Sequence, residues 1–279
     1  MKTKHKMLGA TTAALLVFSE TPAADAPSAG GNGVADAKAA EFELAMELRN
    51  PLADLVTVPL ESSFEFGSGS NRAMTYTLNI QPVIPFELTK DWILITRTII
   101  PFFHQEASEP GMGDKTGLGD IEQSFFLSPR KLVGGWIMGA GPVFLYPTAT
   151  EPELGSGKWG VGPTAAVIKQ TGGWTYGVLA NQIWSFAGNS NREQVNTTLV
   201  HPLISYTWKN DFAVQFESES IYDWKQKQWT VPLNLSCSQL VNIGKQPVSF
   251  QLGGRYFAER PAGGPDWGIV FTVTLVFPK

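Results

Sequence analysis

The chain has 279 residues and a formal net charge of −4, from 21 basic and 25 acidic side chains. This acidic balance disfavours nucleic acid as a partner. With 28 glycines, 19 prolines, 9 tryptophans and only 16% charged residues, the composition is typical of a β-rich, turn-rich protein. No run of about 20 apolar residues occurs, which excludes a helical membrane span.

The first residues have the order of a secretory signal. Lys2, Lys4 and Lys6 precede the short apolar stretch "MLGATTAALLVF", and small residues follow at Ala24 and Ala26. This pattern predicts a signal peptide over residues 1–26, cleaved after Ala26. The single cysteine, Cys237, is far from the cleavage region, which argues against a lipid-modified N-terminus and leaves no intramolecular disulfide.

Residues 27–53 read as a flexible tail followed by a short amphipathic helix. Small and polar residues continue to about Lys38, and then leucines recur every three or four positions in "AAEFELAMELRNPLADL". Pro51 predicts a break in this helix. We interpret it as a lid packed on the adjacent domain, in preference to a free helix on a membrane surface.

From residue 54 to residue 279 the helical period is replaced by alternating segments, which predict a single β domain. Twelve strands are expected, at residues 55–66, 74–86, 91–103, 118–128, 134–146, 158–169, 174–186, 195–207, 211–222, 229–240, 247–258 and 266–277. The connections after odd strands are longer and richer in Gly, Asn and charge than most of those after even strands. That asymmetry is typical of an up-and-down antiparallel transmembrane β-barrel with loops at one mouth and turns at the other.

The last strand shows which face would meet lipid. In "WGIVFTVTLVF" one face is fully apolar, from Trp267 through Phe271 to Phe277, and the other carries Gly268, Thr272 and Thr274. In a closed barrel the apolar row faces lipid and the small polar row faces the lumen. Seven prolines inside predicted strands conflict with this model, because proline removes a ladder hydrogen bond: Pro59, Pro82, Pro101, Pro142, Pro163, Pro202 and Pro232.

Tryptophans lie near the ends of the predicted strands, as expected of membrane-interface aromatics. Trp174 and Trp184 share a face and are roughly 33 Å apart along an extended strand. At a tilt of about 40° this distance projects to about 25 Å, the height of the apolar band of such barrels. The interface set is Trp92, Trp136, Trp159, Trp174, Trp184, Trp229 and Trp267.

The same alternation assigns polar residues to the lumen. The charged pore-lining candidates are Glu61, Glu65, Arg97, Asp120, Glu122, Glu217, Glu219 and Arg255. Charges of both signs would order water and polar solutes in a narrow lumen. Two interpretations remain open at this point: these residues line a selective pore, or they pair with one another to brace the wall.

Several stretches carry a family resemblance: "NPLADLVTVPLESSFEF", "NIQPVIPF", "DWILITRTIIP", "GLGDIEQSFFLSP", "GSGKWGVGPTAAV", "WTYGVLANQIWSFAG" and "YDWKQKQWTVPLNL". Together they resemble the outer-membrane β-barrel family labelled after the MetA pathway of phenol degradation, across nearly the whole chain after residue 26. The resemblance implies a transporter-like barrel and small aromatic or hydrophobic solutes, and it supplies no catalytic motif. Alternation ending on Phe277 also resembles the C-terminal signal read by the barrel-assembly machinery, although Pro278 and Lys279 follow it.

The sequence therefore predicts an all-β barrel in the bacterial outer membrane, acting as a channel for passive passage of small solutes. A non-conducting barrel for structure or surface display is the alternative. An outer-membrane lipid hydrolase is disfavoured, because His104 and His201 have no nucleophile signature around them, so no enzyme activity is expected. No cofactor is expected and no metal-ligand spacing occurs. The expected partners are outer-membrane lipid, the assembly machinery and a small solute.

Overall fold

The computed structural model describes residues 32–278. The predicted signal peptide, residues 1–26, lies outside the described residues, as does the first part of the predicted tail. No helix in the described part of the chain is long and apolar enough to cross a membrane. Among the described residues, one α-helix, α1 (Asn32–Glu47), precedes the sheet, and a short 3-10 helix, Pro152–Leu154, lies in one connection.

Fifteen strands follow α1. They are β1 (Val56–Ser68), β2 (Ala73–Ile80), β3 (Val83–Glu87), β4 (Trp92–Gln105), β5 (Lys115–Leu118), β6 (Ile121–Pro129), β7 (Ile137–Tyr146), β8 (Lys158–Thr171), β9 (Trp174–Gly188), β10 (Asn196–Thr207), β11 (Phe212–Glu217), β12 (Ser220–Asp223), β13 (Gln228–Ile243), β14 (Gln246–Glu259) and β15 (Trp267–Phe277).

These strands close into one antiparallel barrel with twelve positions. Three pairs of short strands, β2 with β3, β5 with β6, and β11 with β12, each share one position. The last strand pairs with the first from Val56↔Phe277 to Phe66↔Trp267, so no edge remains open at that seam. Closure satisfies the backbone groups of both strands, as the interior of a lipid bilayer requires. The predicted twelve-stranded barrel is confirmed.

Strand alternation sets the two faces as predicted. In β15 the side chains of Trp267, Ile269 and Phe271 are exposed on the outside, while Val270 and Thr272 are buried on the inside. A one-residue shift of register would reverse every side chain, so the apolar outer row fixes the pairing.

The seven prolines are accommodated mainly at interruptions of the sheet. Pro82 lies in the gap between β2 and β3, and the carbonyl of Pro59 accepts a hydrogen bond from the Gln81 amide beside that gap. The carbonyls of Pro101 and Pro202 likewise accept from Gly119 and Ser218, at the β5–β6 and β11–β12 breaks. Pro232 lies at a register shift, and Pro142 and Pro163 face each other. The prolines therefore mark where the ladder is broken.

The two mouths of the barrel differ. At one mouth, which we call the loop end, the connections include residues 106–114, 147–157, 189–195 and 260–266. At the other, the turn end, they include the tight turns at residues 172–173 and 244–245, with residues 130–136 as the longest.

The N-terminal helix packs at the turn end. Its Met46 carbonyl accepts a hydrogen bond from Gln170, 2.6 Å away, and its Glu41 carboxylate accepts one from Asn242 at 2.7 Å. The helix begins at Asn32, within the stretch predicted to be a flexible tail, and ends at Glu47 before Pro51. The placement agrees with the interpretation of this segment as a lid.

Candidate functional site

Residues 48–55, which follow α1, enter the lumen, and we call this segment the plug. Leu52 is 2% exposed and packs on Ile93, Ile95, Phe126, Ala166 and Leu179, which point inward from β4, β6, β8 and β9. Ala53 and Leu55 pack on Val276 of β15. The plug therefore contacts the barrel wall on opposite sides.

Polar contacts fix the plug at both ends. The Asp54 carboxylate accepts a 2.8 Å hydrogen bond from Arg130 at the turn end. Within the plug, the Asn50 side chain accepts one from the Leu52 amide. Arg49 donates to Gln251 at 3.3 Å and to Ser249 at 3.4 Å, both on β14. Burial lowers the pKa of the Arg49 guanidinium to about 10, although nearby Glu217 favours its charged form. The guanidinium is therefore still charged at neutral pH.

Across the cavity from the apolar wall lies a group of charged side chains that we call the luminal charge cluster. Its members are Glu61, Glu65, Arg97, His201, Glu217, Glu219 and Arg255. They point inward from β1, β4, β10, β11 and β14 and from the break after β11, because each occupies a lumen-facing position of the alternation.

Arg255 organises one half of this cluster. Its Nη1 lies 2.6 Å from Glu65 and its Nη2 lies 4.0 Å from Glu61, and its Nε donates to the Asn234 side chain at 2.8 Å. Asn79 also donates to Glu61, at 3.5 Å. Glu65 is thus tightly paired, whereas Glu61 has only long contacts.

His201 organises the other half. Its Nε2 is 3.0 Å from Glu217, which also accepts a 2.7 Å hydrogen bond from Gln215. Its Nδ1 is 3.6 Å from Glu219, beyond hydrogen-bonding distance, and Arg97 is 3.9 Å from the same carboxylate. Both ring nitrogens of His201 face carboxylates, and in the described residues no hydroxyl group hydrogen-bonds to this ring.

Six of the eight charged residues predicted to line a pore belong to the cluster. Arg97, whose strand is apolar on both faces, points inward and donates to Gln81 at 2.9 Å. Glu122, on β6 beside the strand that carries Arg97, accepts a hydrogen bond from Asn181 at 3.2 Å. Asp120 braces a loop instead: it accepts from the amide and hydroxyl of Ser156, both at 2.6 Å.

A cavity of about 180 Å³ remains between the plug and the cluster. It is lined by Arg49 of the plug and, from the wall, by residues that include Glu61, Glu217, Glu219 and Arg255. This space is large enough for several water molecules or a small organic group. The sequence interpretation missed the plug contacts of Arg49 and Leu52; the one signal for them was the inward apolar pair Ile93 and Ile95, unusual for a wet lumen.

The predicted interface tryptophans form two rims. At the turn end Trp92 and Trp174 are exposed, and Trp136 is half-buried beneath Lys169. Exposed at the loop end are Trp159, Trp184, Trp229 and Trp267. Trp208 at the turn end and Trp224 at the loop end, absent from the predicted set, extend these rims.

Solved structures resemble this fold. An outer membrane channel from Pseudomonas putida F1 is 17% identical, with a TM-score of 0.62 over 80% of this chain and 94% of that chain. Outer membrane phospholipase A from Escherichia coli is 12% identical, with a TM-score of 0.47 over 84% of this chain and 97% of that chain. Comparison with curated protein sequences finds no match.

The sequence model of one family matches residues 56–223, which run from β1 to the end of β12 and include most of the luminal charge cluster. That match covers more than half of the chain and agrees with the resemblance read from the quoted segments. The chain belongs to the family described as "Putative MetA-pathway of phenol degradation".

Proposed function

We propose that this protein is an outer-membrane channel for passive passage of small solutes, and that the plug closes its lumen at the turn end. The observation that carries the proposal is the non-covalent insertion of residues 48–55 between opposite walls of a closed barrel. Side-chain contacts hold the plug against the wall, and the lumen can open when those contacts are broken.

The outer surface of the barrel supports a position in the outer membrane. An apolar outer face between two tryptophan rims matches the lipid-facing band of such proteins. The long connections would then face the outside and the turn end the periplasm. Export through the signal peptide, and recognition of β15 by the assembly machinery, are parts of the same proposal. The P. putida channel, which shares the fold, is consistent with it.

The solute class remains part of the proposal. The family's description suggests small aromatic or hydrophobic compounds as solutes, and the apolar wall around Leu52 could contact them. The luminal charge cluster offers polar contacts on the opposite side.

The plug model is tested by single-channel recording in planar bilayers with two variants at one position. Leu52→Asn places an amide in an apolar pocket without partners, which costs about 1–3 kcal/mol and should release the plug. Leu52→Met keeps the apolar volume and should stay closed like the wild type. Heat-modifiable gel mobility checks that each variant forms the barrel.

We expect rare, small openings from the wild type and frequent, larger openings from Leu52→Asn. A folded Leu52→Asn barrel that conducts no more than the wild type would refute the plug and favour a non-conducting structural role.

A further inference from the structure

The two sides of the lumen that hold the plug have opposite chemistry. Leu52 fills an apolar pocket formed by side chains of β4, β6, β8 and β9. Arg49, three residues earlier, extends to β14 beside the luminal charge cluster. The plug thus presents an apolar group to one wall and a cation to the other.

The cluster itself has more negative than positive groups. Its wall carboxylates are Glu61, Glu65, Glu217 and Glu219, and its wall guanidiniums are Arg97 and Arg255. His201 adds a positive charge only when it is protonated. Arg49 brings a further guanidinium into this space, so the plug partly neutralises the wall. Withdrawal of the plug would leave the excess carboxylates without that cation.

Arg49 fits this place poorly. Its two hydrogen bonds go to neutral groups and are long, at 3.3 Å and 3.4 Å. Its Nε atom is buried without a hydrogen-bond partner in the described part of the chain. The cavity of about 180 Å³ is lined by Arg49 and also by the carboxylates Glu61, Glu217 and Glu219. A cation placed inside that cavity could reach Glu61 and Glu217 more directly than Arg49 does.

We propose that the lumen is a binding site for an amphipathic organic cation, a primary amine or guanidine carried on a small apolar group, and that the plug occupies this site as a substitute. The apolar part replaces Leu52 against Phe126 and its neighbours, and the cationic group lies among Glu61, Glu217 and Glu219. This inference rests on the proposed channel function, because the ligand reaches the site by displacing the plug.

The charge of the ligand follows from the wall. A neutral molecule of the same shape would leave the carboxylates unneutralised, and an anion would be repelled by them. A charge-assisted hydrogen bond is stronger than a neutral one, so replacing an ammonium group by a hydroxyl should weaken binding about tenfold or more.

The test uses three probes of matched size: phenethylamine, phenethyl alcohol and phenylacetate. Their binding is measured by titration calorimetry to the detergent-solubilised, folded barrel of an Arg49→Ala/Leu52→Ala variant, which empties both halves of the site. Glu217→Gln is then added to this variant, and Glu193→Gln, in an exposed connection, serves as the charge-matched control.

We expect phenethylamine to bind about tenfold more tightly than phenethyl alcohol, phenylacetate not to bind, and Glu217→Gln but not Glu193→Gln to remove the preference. Wild-type protein should bind the amine more weakly, because the plug competes. Equal binding of amine and alcohol, or a preference for phenylacetate, would overturn the proposal.

Channel recording of the same Arg49→Ala/Leu52→Ala variant distinguishes a failure of the proposed channel function from a failure of the proposed cation site. If the variant conducts but does not prefer the amine, the channel function stands and the cation site is wrong. If the variant does not conduct, the channel function is wrong, and calorimetry still reports directly whether the cation site exists.

Discussion

At the residue scale, the luminal charge cluster combines tight and loose pairs. Glu65 and Arg255 are 2.6 Å apart, whereas Glu219 meets Arg97 only at 3.9 Å and His201 at 3.6 Å. A tight pair braces the wall, and a loosely paired carboxylate retains more of its field toward the lumen. We therefore expect wall bracing from some members of the cluster and pore lining from others.

The half of the cluster around His201, which contains the loosely paired Glu219, should control ion selectivity. In the open Leu52→Asn background, we expect a preference for cations over anions, because the wall carries excess carboxylates. Adding Glu217→Gln and Glu219→Gln should move the permeability ratio toward one, as read from reversal potentials in a salt gradient. An unchanged ratio would assign both carboxylates to bracing, as for Glu65.

Glu47 is the last residue of α1 and directly precedes the plug. Partial burial raises its pKa above the usual value, and the carboxylates of Asp54 and Glu43 raise it further. The docked plug therefore favours protonated Glu47. Protonated Glu47 thereby stabilises the docked plug. This stabilisation is fully present below the ordinary glutamate pKa of about 4.3 and is lost as the pH rises through the raised pKa of Glu47.

We therefore expect the open probability to increase as the pH rises through this window. Glu47→Gln, which cannot ionise, should lower the open probability at neutral pH and flatten the pH dependence. Identical pH profiles for the wild type and Glu47→Gln would show that this carboxyl does not contribute to docking.

At the element scale, the plug explains a pattern that alternation alone left unresolved. The sequence "WILITRTIIPFF" is apolar on both faces, whereas strands facing a wet lumen carry polar residues inside. The inner face of β4 carries Ile93 and Ile95 because Leu52 packs against them. The sequence alone could not show this contact, because the plug and the start of β4 are far apart in the chain.

The packing of Leu52 gives a reciprocal test. A Cβ atom added at Gly139 would lie 3.1 Å and 3.2 Å from the two Leu52 methyl carbons. Gly139→Val should therefore push Leu52 out of its pocket and raise channel opening, because overpacking costs about 1–3 kcal/mol. Combining Gly139→Val with Leu52→Ala exchanges three carbons between the two sites and should restore closure.

Single-channel recording of both variants checks this exchange. If the double variant opens as often as Gly139→Val alone, contact between these two positions does not hold the plug.

At the scale of the whole molecule, the closed barrel and its faces were predictable because strand alternation has a period of two and the pattern repeats twelve times. Features that depend on contacts between residues distant in the chain were not predictable. The position of the plug, the loop-bracing role of Asp120 and the alignment of prolines with breaks in neighbouring strands all arise from packing between segments distant in the chain.

Two phenylalanines on the outer face of β15 should lie at different depths in the bilayer. Phe271 lies in the middle of β15 on the outer face, 41% exposed, and Phe277 lies at its end, 43% exposed. An arginine at the bilayer midplane costs about 2–4 kcal/mol, but only about 0–1 kcal/mol near the interface. Phe271→Arg should thus lower the unfolding free energy in liposomes by about 2–4 kcal/mol, with Phe277→Arg as the matched control. Equal losses would contradict the proposed depth of β15.

A reversible tether between the plug and the wall tests whether the plug closes the lumen and opens it by leaving. In a Cys237→Ser background, Arg49→Cys and Gln251→Cys can be joined by a short reducible bifunctional thiol reagent, because the native side chains are in contact. Single-channel current is recorded before cross-linking, after it and after reduction. Because the two cysteines remove the Arg49–Gln251 hydrogen bond, we expect more openings than in the wild type before cross-linking, closure while the tether holds, and openings again after reduction. A current that the tether leaves unchanged would show that the plug does not close the lumen.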